Sequence, residues 1–137
     1  MNIPTKLRLI GLVGLAMLLL STSLFAHHSF AAFDMAKTST LTGVVKEFQW
    51  LNPHSWIQMM VKDASGNEVE WSIETGSPSS LTRQGWKPKM LKPGDQIIVT
   101  MHPLRDGRPG GSLITVTMAD GTKIGGNPAG EASESSR

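Results

Sequence analysis

Apolar and polar residues alternate with a period of two over several short stretches, which is the pattern of half-buried β-strands. The clearest case is residues 68–74, where Val69, Trp71 and Ile73 alternate with polar positions that include three glutamates. This stretch predicts a strand with one apolar face and one acidic face. The acidic face is typical of a solvated strand surface rather than of the two opposed carboxylates of a glycoside hydrolase.

Two further strands are predicted before this one, at residues 43–50 and 56–63, because both stretches are rich in Val, Ile, Phe and Trp. Residues 51–55 lie between them and form a five-residue connection, so the two strands predict a hairpin. Alternation along the second strand points one set of side chains toward the core: Ile57, Met59 and Val61.

A short helix is predicted at residues 77–85. Ser77 is a typical N-cap, Pro78 suits the first helical position and Gly85 ends the helix. Trp86 follows directly, and we expect it to pack the end of the helix onto the sheet.

Two more strands are predicted at residues 96–101 and 112–118. The segment between them, 103–111, is too rich in Gly and Pro for either element and predicts a loop. Residues 121–137 have little apolar content and predict a disordered tail, while residues 27–38 predict an extended N-terminal segment.

This order of elements, β-β-β-α-β-β, predicts an all-β fold with one short helix. It is the order of a small five-stranded oligonucleotide/oligosaccharide-binding (OB) type of barrel, here spanning residues 39–120. An open five-stranded sheet with one packed helix is the alternative. OB-like barrels commonly bind ligands with strands two and three and with the loops after strands one and four.

The first 26 residues predict a signal peptide that is cleaved off. Lys6 and Arg8 precede an apolar run at 9–20 and small residues before Ala26, and the run is short for a membrane span. Cleavage after Ala26 is favoured, cleavage near residues 31–32 is possible, and an uncleaved anchor is the alternative. We therefore expect a periplasmic or secreted protein with no stable membrane anchor.

Net charge and cysteine content exclude some classes of function. The predicted signal holds two of the 13 Lys and Arg residues and none of the 11 Asp and Glu residues, so the remaining chain has a formal net charge of zero. A neutral chain lacks the positive charge that nucleic-acid binding needs. The absence of cysteine excludes a disulfide framework, a lipid-anchored cysteine and a thiol nucleophile.

The histidines are the candidate metal ligands. If cleavage follows Ala26, His27 offers an α-amine and an imidazole that together chelate Cu(II), and His28 adds a second imidazole. His54 or His102 would complete such a copper site. Zinc is less favoured because the usual spacing of structural zinc ligands is absent. The alternative is that these histidines are solvated or bind backbone carbonyls.

A second candidate site surrounds the first hairpin loop, where aromatic and polar residues cluster: Trp50, Asn52, His54 and Trp56. They predict a platform for a flat or sugar-like ligand. Alternation places Trp50 on the side of Phe48 and Val44, so core packing is an equal alternative for it, whereas Trp56 is the better candidate for exposure. Arg105 and Asp106 predict an anion or partner contact, or simply a surface turn.

Several short motifs occur together: residues 26–30, Asn52-Pro53-His54, Ser77-Pro78, Gly85-Trp86, residues 92–95 and Arg105-Asp106-Gly107. In combination they resemble an uncharacterised family of small exported bacterial proteins, the domain of unknown function DUF6152. The likeness covers about residues 27–120 and implies an exported, one-domain β protein with no assigned catalytic residue.

Two functional hypotheses follow. The first is a non-enzymatic periplasmic binding module for a small molecule or another envelope protein, since no serine-hydrolase, metalloprotease or phosphate-cradling motif is present. The second is a copper-binding protein that uses the His27-His28 pair. The sequence leaves both open.

Overall fold

Six strands and one short helix make up residues 31–125, the part of the chain that this computed structural model describes. The predicted signal peptide, the His27-His28 pair and the tail beyond residue 125 lie outside the described residues. The elements are β1 Ser39–Gln49, β2 Trp56–Lys62, β3 Glu68–Glu74, α1 Pro78–Arg83, β4 Gln96–Pro103, β5 Gly110–Met118 and β6 Lys123–Gly125.

The first five strands close into a barrel. The sheet order is β3-β2-β1-β4-β5-β6, and a parallel pairing between β3 and β5 joins the ends. This arrangement confirms the predicted OB-like barrel and excludes the open sheet. A closed barrel leaves no unpaired edge among its five strands, which protects it from edge-to-edge association.

Strand β1 is long because it pairs with strands on both sides. Its first half pairs with β4 and its second half with β2, and Val44 belongs to both ladders. The prediction that this strand starts at residue 43 is therefore wrong. Ser39 and the threonines after it carry little apolar signal, and they become strand residues through pairing with the distant β4.

A register shift between Val45 and Glu47 changes which side chains of β1 face inward. Such a bulge adds one unpaired residue and reverses the alternation beyond it. Val44 is 38% exposed and Val45 only 2% exposed, whereas Phe48 and Trp50 pack against the core. The expectation that Val44 shares the inward side of Phe48 is therefore wrong.

The core fills the barrel and is capped by the helix. Ile57, Met59 and Val61 are buried, which confirms the alternation predicted for β2. Leu81 of α1 and Trp86 behind it are also buried in the same cluster. Within the described residues no helix is long and apolar enough to cross a membrane.

The predicted ends of α1 are confirmed. The Ser77 hydroxyl accepts a hydrogen bond from the backbone N–H of Ser80 at 3.3 Å, as an N-cap does. Gly85, two residues after the last helical residue, has φ of +90°, a conformation that favours glycine.

Strands β4 and β5 extend into the segment predicted as a loop. Pro103 pairs with Gly111, so the loop that remains is residues 104–109, the β4–β5 loop. A Cβ on Gly111 would lie 2.5 Å from the carbonyl oxygen of His102, so glycine is needed for these strands to approach. Pro103, Gly110 and Gly111 have the composition of a loop, but this close packing makes them part of the two strands.

The predicted disordered tail begins too early. Residues 123–125 form β6, which pairs with β5, and Ile124 packs against the core. The Trp86 indole N–H also donates to the carbonyl oxygen of Gly125 at 2.6 Å. These three residues form a strand by pairing with the neighbouring β5, which their own composition does not indicate.

Candidate ligand-binding site

Four side chains form a continuous row across the outside of the barrel. Trp56 pairs with Glu74, Glu74 with Ser112, and Ser112 with His102. Residues paired in this way face the same side of a sheet. Their neighbours Ile57, Ile73 and Leu113 are 0%, 0% and 1% exposed, so the row faces outward. We call Trp56, Glu74, Ser112 and His102 the outer row.

The outer row faces away from the core, yet it is largely shielded from solvent. Ser112 and His102 are each 8% exposed, and the side chain of Glu74 is 14% exposed. The prediction of a solvated acidic face therefore holds for Glu68 and Glu70, which are exposed, but not for Glu74. A shielded carboxylate needs compensating hydrogen bonds.

His54 supplies such a bond to Glu74. Its Nδ1 lies 2.5 Å from Oε1 of Glu74, and the imidazole is 34% exposed. Because an ionised carboxylate only accepts hydrogen bonds, Nδ1 carries the proton, and Nε2 keeps its lone pair whenever the imidazole is neutral. The sequence analysis gave a hydrogen bond to a backbone carbonyl as one alternative for His54, and in the structure its Nδ1 donates to the carboxylate of Glu74 instead.

His102 is held by the segment that precedes β1. Its Nδ1 lies 2.8 Å from the carbonyl oxygen of Lys37, so this nitrogen also donates. Residues 32–38, here called the N-terminal segment, run beside the end of β4: Asp34 N–H donates to Pro103, and Arg105 N–H donates to Ala32. The N-terminal segment is thus docked where the histidine lies.

Ser112 is the central member of the outer row, paired with Glu74 on one side and with His102 on the other. Within residues 31–125, no buried side-chain oxygen or nitrogen atom lacks a hydrogen-bonding partner. The row places a hydroxyl group, which can donate or accept a hydrogen bond, between a carboxylate and an imidazole.

The outer row connects two loops that the sequence analysis singled out. Trp56 begins β2 directly after the β1–β2 loop, residues 50–55, and His102 lies just before the β4–β5 loop. The carbonyl oxygen of Pro109 in the second loop also accepts a hydrogen bond from Ser72 of β3 at 3.3 Å. Both loops therefore meet the same rim of the barrel, as the OB-like interpretation expects.

The remaining predicted residues are placed less centrally. Trp50 packs edge-on against Phe48, with ring centroids 5.6 Å apart, and belongs to the periphery of the core. Trp56 is half-buried and lies in the outer row. Asn52 is exposed in the β1–β2 loop, where a cis peptide bond joins it to Pro53.

Arg105 and Asp106 are both engaged locally. Arg105 lies 4.0 Å from the carboxylate of Asp34, and Asp106 forms a 2.7 Å ion pair with Arg108. Hydrogen bonds from the backbone and side chain of Arg108 lower the pKa of Asp106 below its usual value. These contacts stabilise the β4–β5 loop and leave Arg105, which is 58% exposed, as the more accessible of the two.

A separate shallow cleft lies at the start of β4 and the end of β5, away from the outer row. It is lined by Leu91, Asp95, Gln96, Ile97, Met118, Ala119 and Asp120. It contains none of the predicted site residues. Across the described part of the chain, no three His, Asp or Glu side chains are grouped closely enough to hold a metal ion.

Glu74 and Ser112 are not among the site residues predicted from the sequence. Periodicity groups Glu74 with two solvated glutamates, and Ser112 opens an ordinary β-strand pattern. Glu74 and Ser112 lie beside one another only because β3 pairs with β5 in parallel, and no local sequence pattern predicts that pairing.

A family model described as a family of unknown function (DUF6152) matches residues 16–113. The match covers most of the chain, including every member of the outer row. No curated protein and no solved structure matches the chain.

Proposed function

We propose that this chain, which belongs to the DUF6152 family, is an exported, non-enzymatic binding module that holds a small polar ligand at the outer row. The shielded His54–Glu74 pair beside Trp56 is the observation that carries the proposal. The basic and then apolar start of the chain supports export.

The chemistry of the outer row favours a ligand that donates hydrogen bonds. Glu74 presents a carboxylate, and His102, when neutral, presents the lone pair of Nε2. Ser112 between them can donate or accept. Trp56 adds an aromatic surface at the end of the row, which is the usual combination of apolar wall and few polar groups in a small-molecule site.

The same geometry supports binding rather than catalysis. Within residues 31–125 no serine hydroxyl is hydrogen-bonded to a histidine, so the described residues contain no base-activated serine nucleophile. The row also contains a single carboxylate, whereas acid–base pairs such as those of glycosidases need two.

The test is a screen by two-dimensional NMR with sugars, amino acids, short peptides and polyamines as probes. We expect one of these classes to shift the amide signals of residues 54–56, 72–76, 102–105 and 110–113. Glu74→Gln is expected to weaken that binding by about tenfold or more, because a charge-assisted hydrogen bond contributes about 1.5–3 kcal/mol.

Glu70→Gln is the matched control, since it makes the same change on the same strand at an exposed residue paired with Lys46. It should leave the affinity unchanged within about twofold, because exposed ion pairs contribute little. Equal effects of the two variants, or shifts confined to the cleft at Leu91 and Met118, would contradict the proposal.

Copper binding is the second candidate, and one observation favours it. His54 and His102 both have Nδ1 tied to an oxygen atom, which leaves Nε2 as the nitrogen for a metal. Metal-binding histidines are typically oriented in this way. The N-terminal segment, which follows the His27-His28 pair in sequence, is docked beside His102.

This candidate is tested on protein exported and processed by its own signal. We expect intact mass to give His27 as the first residue, and Cu(II) to bind one-to-one and more tightly than Zn(II). His27→Ala and His102→Ala should each weaken copper binding by at least about 100-fold. A mature protein that starts after Ala31 or Ala32, or unaltered binding in His102→Ala, would reject it.

A further inference from the structure

Four exposed cations lie at the end of α1 and in the loop that follows it: Arg83, Lys87, Lys89 and Lys92. We call residues 83–92 the basic loop. No Asp or Glu occurs anywhere from residue 75 to residue 94. The zero net charge of the predicted mature chain therefore conceals a locally strong excess of positive charge.

Among the described residues, the ion pairs all lie outside the basic loop. Lys37, Lys46, Arg105 and Arg108 each have a carboxylate oxygen within 4.0 Å. In the described part of the chain, no carboxylate lies within that distance of any cationic group in the basic loop. Among the described residues, the acidic side chains lie instead on β1 and β3, in the N-terminal segment and in the turns.

Two buried side chains hold the basic loop against the barrel. Trp86 is 1% exposed and Leu91 is 4% exposed, and both belong to the core. Between them, the N–H of Met90 donates to the carbonyl oxygen of Lys87 at 3.0 Å and forms a turn. The lysines are thus displayed on an anchored loop whose apolar residues face inward.

A fifth cation, Lys123, lies on β6, the strand that is hydrogen-bonded to the basic loop. The indole of Trp86 is hydrogen-bonded to Gly125 at the end of β6, and Lys123 is two residues from Gly125. Lys123 is exposed and, within the described residues, has no carboxylate partner.

We propose that the basic loop is a docking surface for the anionic headgroups of a phospholipid membrane. Lysine ammonium groups are mobile point charges that suit a diffuse layer of anionic headgroups, whereas arginine is the usual choice for specific phosphate recognition. The only aromatic residue of the loop, Trp86, is buried, so the loop has no surface on which nucleic-acid bases could stack. Membrane docking is independent of ligand binding at the outer row.

The test is co-sedimentation of the purified full chain with vesicles of phosphatidylglycerol mixed with phosphatidylcholine. We expect binding that weakens as salt is raised. Each lysine near an anionic surface favours binding by about fivefold, so Lys87→Glu/Lys89→Glu should reduce it by about 30-fold or more. Comparison of variants of the same chain cancels any contribution from the apolar residues 9–20.

Lys62→Glu is the matched control, because Lys62 is exposed and lies on β2 rather than in the basic loop. It should leave vesicle binding close to that of the unaltered chain. The proposal is overturned if the double variant binds as tightly as the unaltered chain, or if Lys62→Glu weakens binding equally. Binding to heparin or single-stranded DNA that depends on the same lysines, with no preference for anionic vesicles, would also overturn it.

Discussion

Replacement of Trp86 by alanine is expected to lower the free energy of unfolding by about 3–5 kcal/mol, the range typical of a fully buried tryptophan. The side chain is 1% exposed and packs against Phe48, with ring centroids 5.7 Å apart. It also donates the hydrogen bond that holds Gly125 of β6. The substitution therefore removes a large part of the core, and β6 loses one of its attachments.

Urea unfolding followed by circular dichroism measures this loss. Trp56→Ala is the matched control, since Trp56 is half-buried on the outside of the barrel and is not part of the core cluster. We expect the control to lose less than half as much stability. Equal losses in the two variants would show that the core does not depend on Trp86 as described.

Gly43→Ala is expected to destabilise the fold by about 2–3 kcal/mol, as overpacking of a filled interior does. A Cβ at this position would lie 2.4 Å from the carbonyl oxygen of Met60 and 2.6 Å from Cε of Met59. The methionine side chain can move, but the carbonyl belongs to the β1–β2 ladder. The strand must therefore shift, and this weakens the pairing of β1 with β2.

Gly76→Ala provides the comparison for this prediction. A Cβ there would have Ser80 Cβ as its nearest contact, at 3.4 Å, which is an ordinary separation. We expect its urea midpoint to change little, because alanine also restricts the unfolded chain. A Gly43→Ala protein as stable as Gly76→Ala would mean that β1 tolerates a side chain at the point where it passes from β4 to β2.

The parts of the fold that the sequence predicts correctly are those whose signal is local. Strands β2 and β3 show strict alternation, and α1 has Ser77 and Gly85 at its two ends. The order of these elements predicts the barrel with an open sheet as the alternative, and the pairing of β3 with β5 decides between them. Each of these elements is determined by a few neighbouring residues and does not depend on distant strands.

The errors in the predicted fold share a different cause. The first residues of β1 become strand by pairing with the distant β4, and the last residues of β4 and the whole of β6 become strand by pairing with the adjacent β5. The bulge beside Lys46 reverses the inward side of β1 for the same reason, since its geometry is set against β2. The local composition of these segments does not indicate which strands they pair with.

The residues of the candidate site also differ in whether a local sequence pattern predicts them. Clustering of aromatic and polar residues around the first hairpin was enough to select His54 and Trp56. Glu74 was assigned to a solvated face, because only the structure shows that the loop folds His54 over it. A site assembled across four strands is predictable from sequence only at the point where its residues lie close together in the chain.

The parallel pairing of β3 with β5 also bears on how the protein reaches its native state. Strands β1, β2 and β3 form hairpins between neighbours, whereas Ser39 pairs with Met101 and Glu74 with Ser112 across long stretches of chain. Contacts between residues distant in sequence slow folding because loop-closure entropy must be lost first. We expect the hairpins, including the β4–β5 hairpin that pairs His102 with Ser112, to form early and the β3–β5 junction to form late, so that Glu74 joins these two residues only in the final stage. Substitutions among them should mainly change the rate of unfolding and leave the rate of folding nearly constant.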